Sequence, residues 1–138
     1  MPALTDADRD EFLAATRYAI LTHHDDSGLP VAVPVWYDWN GETVEMFTHV
    51  STPKMRQLQV APRASVLVTN FPPEQETWIR FEGEITFGPG GLELAERVLD
   101  RYWPEGDPRR AVFESWRTQP DDWPKMVLAP KRIRTHRE

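Results

Sequence analysis

The segment Glu45-Met-Phe-Thr-His-Val-Ser-Thr-Pro-Lys54 reads as a β-strand that runs into a short loop and then opens a helix. Thr52 suits the N-cap, where a side-chain oxygen can accept from the first free amides. Pro53 suits the first helical position, where a missing N–H costs nothing. A helix N-terminus carries unpaired N–H groups and a partial positive charge, which makes it a seat for a phosphate. The hydroxyls of Thr48, Ser51 and Thr52 and the ammonium of Lys54 would complete that seat. Without a ligand the same residues read as an ordinary capped helix with a solvated lysine.

Outward from this segment the pattern is of strands joined by tight turns. Upstream, Thr5 caps a helix over residues 6–16, a strand covers 18–23, and Asp25-Asp-Ser-Gly28 makes a turn. A second strand covers 31–39, and Asn40-Gly41 signals a hairpin into the strand 43–49. Downstream, a short helix over 53–60 stops before Pro62, and strands follow at 64–71 and 78–87. An amphipathic helix covers 92–102, and Asp107-Pro108 starts another that reaches 117. A last strand covers 125–129 and can continue past Pro130 through Ile133. The expected fold is mainly β: an antiparallel six-stranded barrel decorated by helices.

Composition narrows the function classes. The 138 residues fit one domain, 1–138. Cysteine is absent, which excludes a disulfide framework, a thiolate metal site and a cysteine nucleophile. The first residues lack the basic and apolar regions of a secretion signal, and no apolar run approaches the ~20 residues of a membrane span. The expectation is a cytoplasmic protein with no membrane partner. A net charge of −6 argues against nucleic acid, so an anionic ligand must be held by local cations.

Alternation within strands sorts the side chains. In the second strand Val31, Val33, Val35, Tyr37 and Trp39 share one face, and Ala32, Pro34, Trp36 and Asp38 share the other. In the fifth, Ile79, Phe81, Ile85 and Phe87 form the apolar face, opposite Trp78, Arg80, Glu82 and Glu84. Proline cannot donate to a ladder, so Pro34 marks an edge, a bulge or an engaged backbone. Trp36 and Trp78 on the non-core faces fit a dimer interface, a bound planar ring, or packing under a helix.

The order and spacing of several pieces resemble the pyridoxamine 5′-phosphate oxidase-like proteins with the FMN-binding split β-barrel, a group that includes deazaflavin (F420)-dependent oxidoreductases. The pieces are Ala19-Ile-Leu-Thr with Gly28-Leu-Pro, Val33-Pro-Val-Trp-Tyr37, Phe47-Thr48 followed by Lys54, residues 58–68, and Trp78-Ile-Arg-Phe-Glu-Gly83. The resemblance covers residues 12–133. It implies that Val33, Pro34, Val35 and Trp36 lie along the cofactor ring, that Phe47 and Thr48 lie near ring and phosphate, and that Lys54 binds phosphate. Thr52 joins the phosphate set, Trp78 stands on the edge that a partner subunit supplies, and Arg80 is a further cofactor contact, toward an anionic tail; the family's sites form between subunits, so a homodimer is implied. Pro53 stands where those oxidases carry an arginine, and Trp78 where they carry a glutamine. Their arginine- and histidine-bearing C-terminal segment also has no counterpart, so pyridoxine phosphate oxidation is not expected.

Other constellations carry less. His23-His24 beside Asp25 and Asp26 reads as a metal or haem site or as a solvated turn. His49 can hydrogen-bond a cofactor or cap its loop. Glu82 and Glu84 share a face with no mark of a glycosidase pair. Arg109-Arg110 and Lys131-Arg132-Ile-Arg134 read as surface clusters that could touch a polyanionic tail. No metal is expected, and no catalytic acid or base stands out. The resulting expectation is an oxidoreductase that uses F420 or FMN to move hydride to or from a small conjugated substrate. F420 is preferred, since Pro53 removes half of a compact phosphate clamp while Lys54, Arg56, Arg63 and Arg80 suit an anionic tail. The alternative is a non-enzymatic flavin or haem carrier.

Overall fold

Local chemistry sets the turns. Asn40 closes its hairpin by accepting the amides of Glu42 (2.9 Å) and Thr43 (2.8 Å), and Gly41 takes the left-handed φ of 94° that this turn requires. The computed structural model describes residues 4–138. Its helices are α1 (Asp6–Ala14), α2 (Pro53–Val60), α3 (Gly91–Tyr102) and α4 (Arg110–Trp116). Its strands are β1 (Ala19–His24), β2 (Pro30–Val35), β3 (Asp38–Trp39), β4 (Val44–Phe47), β5 (Arg63–Thr69), β6 (Thr77–Gly88) and β7 (Lys125–Arg137). A 3-10 turn, Pro120–Asp122, precedes β7.

The strands form one antiparallel sheet in the order β2-β1-β5-β6-β7-β4-β3, the curled sheet of a split β-barrel. Seven strands replace the expected six because the strand 31–39 divides. Trp36 and Tyr37 leave the ladder to meet α3. Trp36 lies flat on Tyr102 at 4.7 Å and 4°, and the Tyr37 amide donates to the Tyr102 hydroxyl at 3.4 Å. The last strand is longer than expected, with 13 residues. It passes Pro130 by a bulge: Arg132 pairs with Glu82 and Pro130 with Gly83, so Lys131 is the extra residue.

The inner face buries Leu21, Val35, Met46, Val66, Phe81 and Leu128 against Phe12 and Leu13 of α1. Thr5 caps α1 by accepting the Asp8 amide at 3.1 Å. The concave end is closed by α3, whose Arg97 reaches Asp38 and the buried Glu45, each at 3.0 Å. Lys125 satisfies the second oxygen of Glu45 at 2.8 Å, so this buried carboxylate is paired on both sides. The outer face of β2, β1, β5, β6 and β7 presents Pro34, Ile20, Leu67, Arg80 and Arg134 as one cross-strand row.

Candidate functional site

Between β4 and α2, residues 48–52 form a loop closed on itself by hydroxyls. Thr52 Oγ1 donates to the His49 carbonyl at 2.9 Å, so the 3.0 Å contact with Thr48 Oγ1 takes its proton from Thr48. Thr52 occupies the N-cap position as expected, but its side chain does not cap, because that oxygen faces back into the loop. The α2 N-terminus therefore has no side-chain acceptor on its amides. Thr48 is buried, and Ser51 is exposed.

Lys54 sits one residue into this helix, half-buried, and burial alone pulls its pKa below the usual lysine value. Among the described residues no carboxylate pairs with it. Its charge also reaches His23 of β1, whose pKa burial lowers and the Lys54 charge lowers further. A desolvated ammonium without a carboxylate partner is an arrangement that an anion would relieve. Arg56, the next basic residue, is occupied by a two-pronged pair with Asp26 at 2.9 and 3.0 Å.

The other expected residues divide into two places. Val35 is buried and Val33 packs on the core, so β2 offers a ligand its backbone and Pro34, which is exposed at the sheet edge. Trp36 and Phe47 enter an aromatic cluster under α3 and α4. Trp36 meets Phe47 at 5.7 Å and Trp103 at 4.7 Å, both edge-on, and Phe47 meets Trp123 at 6.1 Å. Trp78 and Arg80 lie on the outer face, where the Trp78 ring stacks on His136 at 5.7 Å and 18° and holds the Arg80 guanidinium at 5.6 Å. Pro34 and Arg80 share that face three strand spacings apart, about 14 Å.

Beside them on the outer face lies a cleft of about 840 Å³, whose lining includes Arg63, Arg80, Lys131, Arg132, Glu82 and Glu84. Its cations outnumber its carboxylates. Glu82 serves Arg80 (2.7 Å), Arg134 (3.6 Å) and Arg132 (3.8 Å) at once, and Arg80 above all holds its carboxyl below the usual range. Lys131 and Arg132 thus line this cleft from β7, and Arg134 follows them on the same strand, paired with Glu82, so the cluster is not a loose surface tail. His23 and His24 point to opposite faces of β1, His23 inward and His24 outward, so they do not converge on one ion.

The sequence pattern missed the 3-10 turn. Asp122, Trp123 and Pro124 hold the 48–52 loop from outside it: Val50 donates to the Asp122 carbonyl at 2.9 Å, Thr48 to the Pro124 carbonyl at 3.3 Å, and His49 lies edge-on to Trp123 at 4.8 Å. The Asp-Asp-Trp-Pro run marks a turn, but nothing local says which loop it grips.

The family model described as pyridoxamine 5′-phosphate oxidase matches residues 5–123. The chain belongs to that family. No curated protein sequence matches it. Among solved structures, a conserved hypothetical protein, Rv2991 from Mycobacterium tuberculosis, is similar over 97% of this chain and 85% of its own, at 20% identity and a TM-score of 0.77. An F420 reductase is similar over 90% of this chain and 94% of its own, at 18% identity and a TM-score of 0.70. HutZ, the haem storage protein from Vibrio cholerae, is similar over 92% of this chain and 91% of its own, at 15% identity and a TM-score of 0.68. At these identities the likeness is one of fold.

Proposed function

We propose that this family member binds a phosphate-bearing flavin-type cofactor, F420 in preference to FMN, and works as an oxidoreductase on a small conjugated substrate. The observation that carries the reading is Lys54, a desolvated cation without an acid partner, set beside the Thr48 and Thr52 hydroxyls at an uncapped helix N-terminus. The cofactor supplies hydride chemistry when bound, so the protein's own tasks are anchoring, orienting and keeping water out. Lys54, Thr48 and Thr52 anchor the phosphate. The backbone of Val33, Pro34 and Val35 lies along the ring, with Trp36 and Phe47 behind it.

Trp78 and Arg80 come from a second copy of the chain. Pro34 and Arg80 lie about 14 Å apart along the sheet of one protomer, a spacing that favours a second copy as the source of this edge. The basic cleft favours F420 over FMN, since a carboxylate-bearing tail needs a run of cations on a chain whose net charge is −6. A second reading, a carrier for flavin or haem, is supported by the likeness to the haem storage protein HutZ. Parallel fluorescence titrations with FMN and F420, followed by acceptor reduction assays, test both. Binding of FMN without F420 refutes the cofactor preference, and binding without reduction of any quinone, nitroaromatic or enone favours the carrier.

A further inference from the structure

We propose that His49, oriented by Asp122, gates the anion loop: neutral, it occupies both protons of Ser51, and protonated, it releases them, so anions bind more tightly as pH falls. This rests on the reading of residues 48–54 as an anion seat. The Ser51 amide donates to His49 Nδ1 at 3.1 Å, and the Ser51 hydroxyl lies 2.7 Å from the same nitrogen. An amide is only a donor, so Nδ1 carries a lone pair and the ring proton sits on Nε2. Nε2 faces Asp122 Oδ2 at 3.8 Å.

Every hydroxyl proton of the loop is thereby engaged inside it. Ser51 gives its protons to His49, Thr52 gives its proton to the His49 carbonyl, and Thr48 gives its own to Thr52. These loop donors are in place and already used, whereas the α2 amides and Lys54 are not. Adding a proton to Nδ1 removes the acceptor that the Ser51 amide uses, so the ring swings off the amide and donates to the Ser51 hydroxyl oxygen, which leaves the amide and the hydroxyl proton free for an anion. The ring gains a charge at the same moment, and the Asp122 carboxylate offsets that charge and holds the ring's far edge.

The backbone of the loop need not move in this exchange. It is held by Val50 on the Asp122 carbonyl and by Thr48 on the Pro124 carbonyl, neither of which titrates. The charged and titratable groups around His49 are few. Asp122 faces it from the 3-10 turn, Trp123 brings an uncharged ring, and Lys54 opens α2 with His23 of β1 behind it. Asp122 acts through His49 and is a positioning residue.

The test uses sulfate, which stays a dianion between about pH 5.5 and about pH 8, the span in which imidazoles titrate. Calorimetric titration of the full chain is expected to show about tenfold tighter binding at the acid end, the worth of one charge-assisted hydrogen bond. His49→Gln retains binding with a flat profile. Asp122→Asn retains binding at the alkaline end and shows a smaller acid gain, which loss of loop structure alone would not produce. A wild-type affinity that does not change with pH overturns the proposal, as does an acid gain that survives in His49→Gln. Absence of sulfate binding at every pH overturns the anion-seat reading as well.

Discussion

Replacing Lys54 by methionine sets stability against binding within one variant. Burial pulls the Lys54 pKa below its usual 10.5, and no opposite charge compensates it. Methionine keeps the length of the apolar stem and removes the desolvated charge. Without ligand the variant is expected to gain up to about 1 kcal/mol, a rise of roughly 2–5 °C in melting temperature for a chain of this size. Anion binding moves the other way. Losing one charge-assisted hydrogen bond costs about 1.5–3 kcal/mol, or roughly 10- to 150-fold in dissociation constant. Thermal melts over a series of F420, FMN and sulfate concentrations read both effects, because a ligand that binds only the folded state raises its stability by mass action. The two melting curves therefore cross: the variant melts higher in buffer and lower near saturation. If Lys54→Met melts lower in buffer and keeps the full ligand response, Lys54 is a structural cation and the reasoning fails.

Three further outcomes are expected. Gly91→Ala would place a Cβ 2.0 Å from the Trp123 carbonyl oxygen and 2.8 Å from that of Pro124, both rigid backbone, so urea melts should show a loss of more than about 2 kcal/mol; Gly88→Ala, whose Cβ meets nothing within 4 Å, is the control. Burial holds the His23 pKa below 6.5, so the unfolded chain takes up the proton first and stability is full above that value and falls as pH drops below it; the slope between about pH 7 and about pH 5 should flatten in His23→Leu. Tyr102→Phe removes a hydroxyl that donates to the Arg17 carbonyl at 2.6 Å and accepts the Tyr37 amide, at a cost of about 1–2 kcal/mol. With the phenol pushed up to about 12, chiefly by burial, that loss should not vary with pH across the neutral range.

Local signals predicted most of the elements well. The span of α2 follows from Pro53 at its start and the approach to Pro62 at its end, and β6 and β1 are within one residue of their alternating patterns at each end. What escaped depends on distant partners. Trp36 and Tyr37 alternate correctly for a strand, and only the arrival of Tyr102 from α3 explains why the strand breaks there. Beyond Pro130, β7 shows mostly charges, and its strand character comes from Arg132 and Arg134 finding Glu82 across the ladder. The site was legible in its residue types and less so in its contacts. Thr52 reads as a cap in any sequence, yet the His49 carbonyl competes for its hydroxyl and wins. Arg56 looked available for an anion until the turn before β2 placed Asp26 beside it.

The position of β7 has a consequence for biosynthesis. The strand latest in the sequence lies inside the sheet, paired along its length with β6 and at its start with β4. While residues 125–137 are still being made, β6 and β4 each expose a bare row of amides and carbonyls, the kind of edge that recruits strands from other chains. A nascent chain of this protein can assemble β2, β1, β5 and β6 early, but it cannot join the β3–β4 hairpin to them until the final strand is delivered. Slow translation or premature release in that window should leave an aggregation-prone species, and a chaperone that shields strand edges would act there.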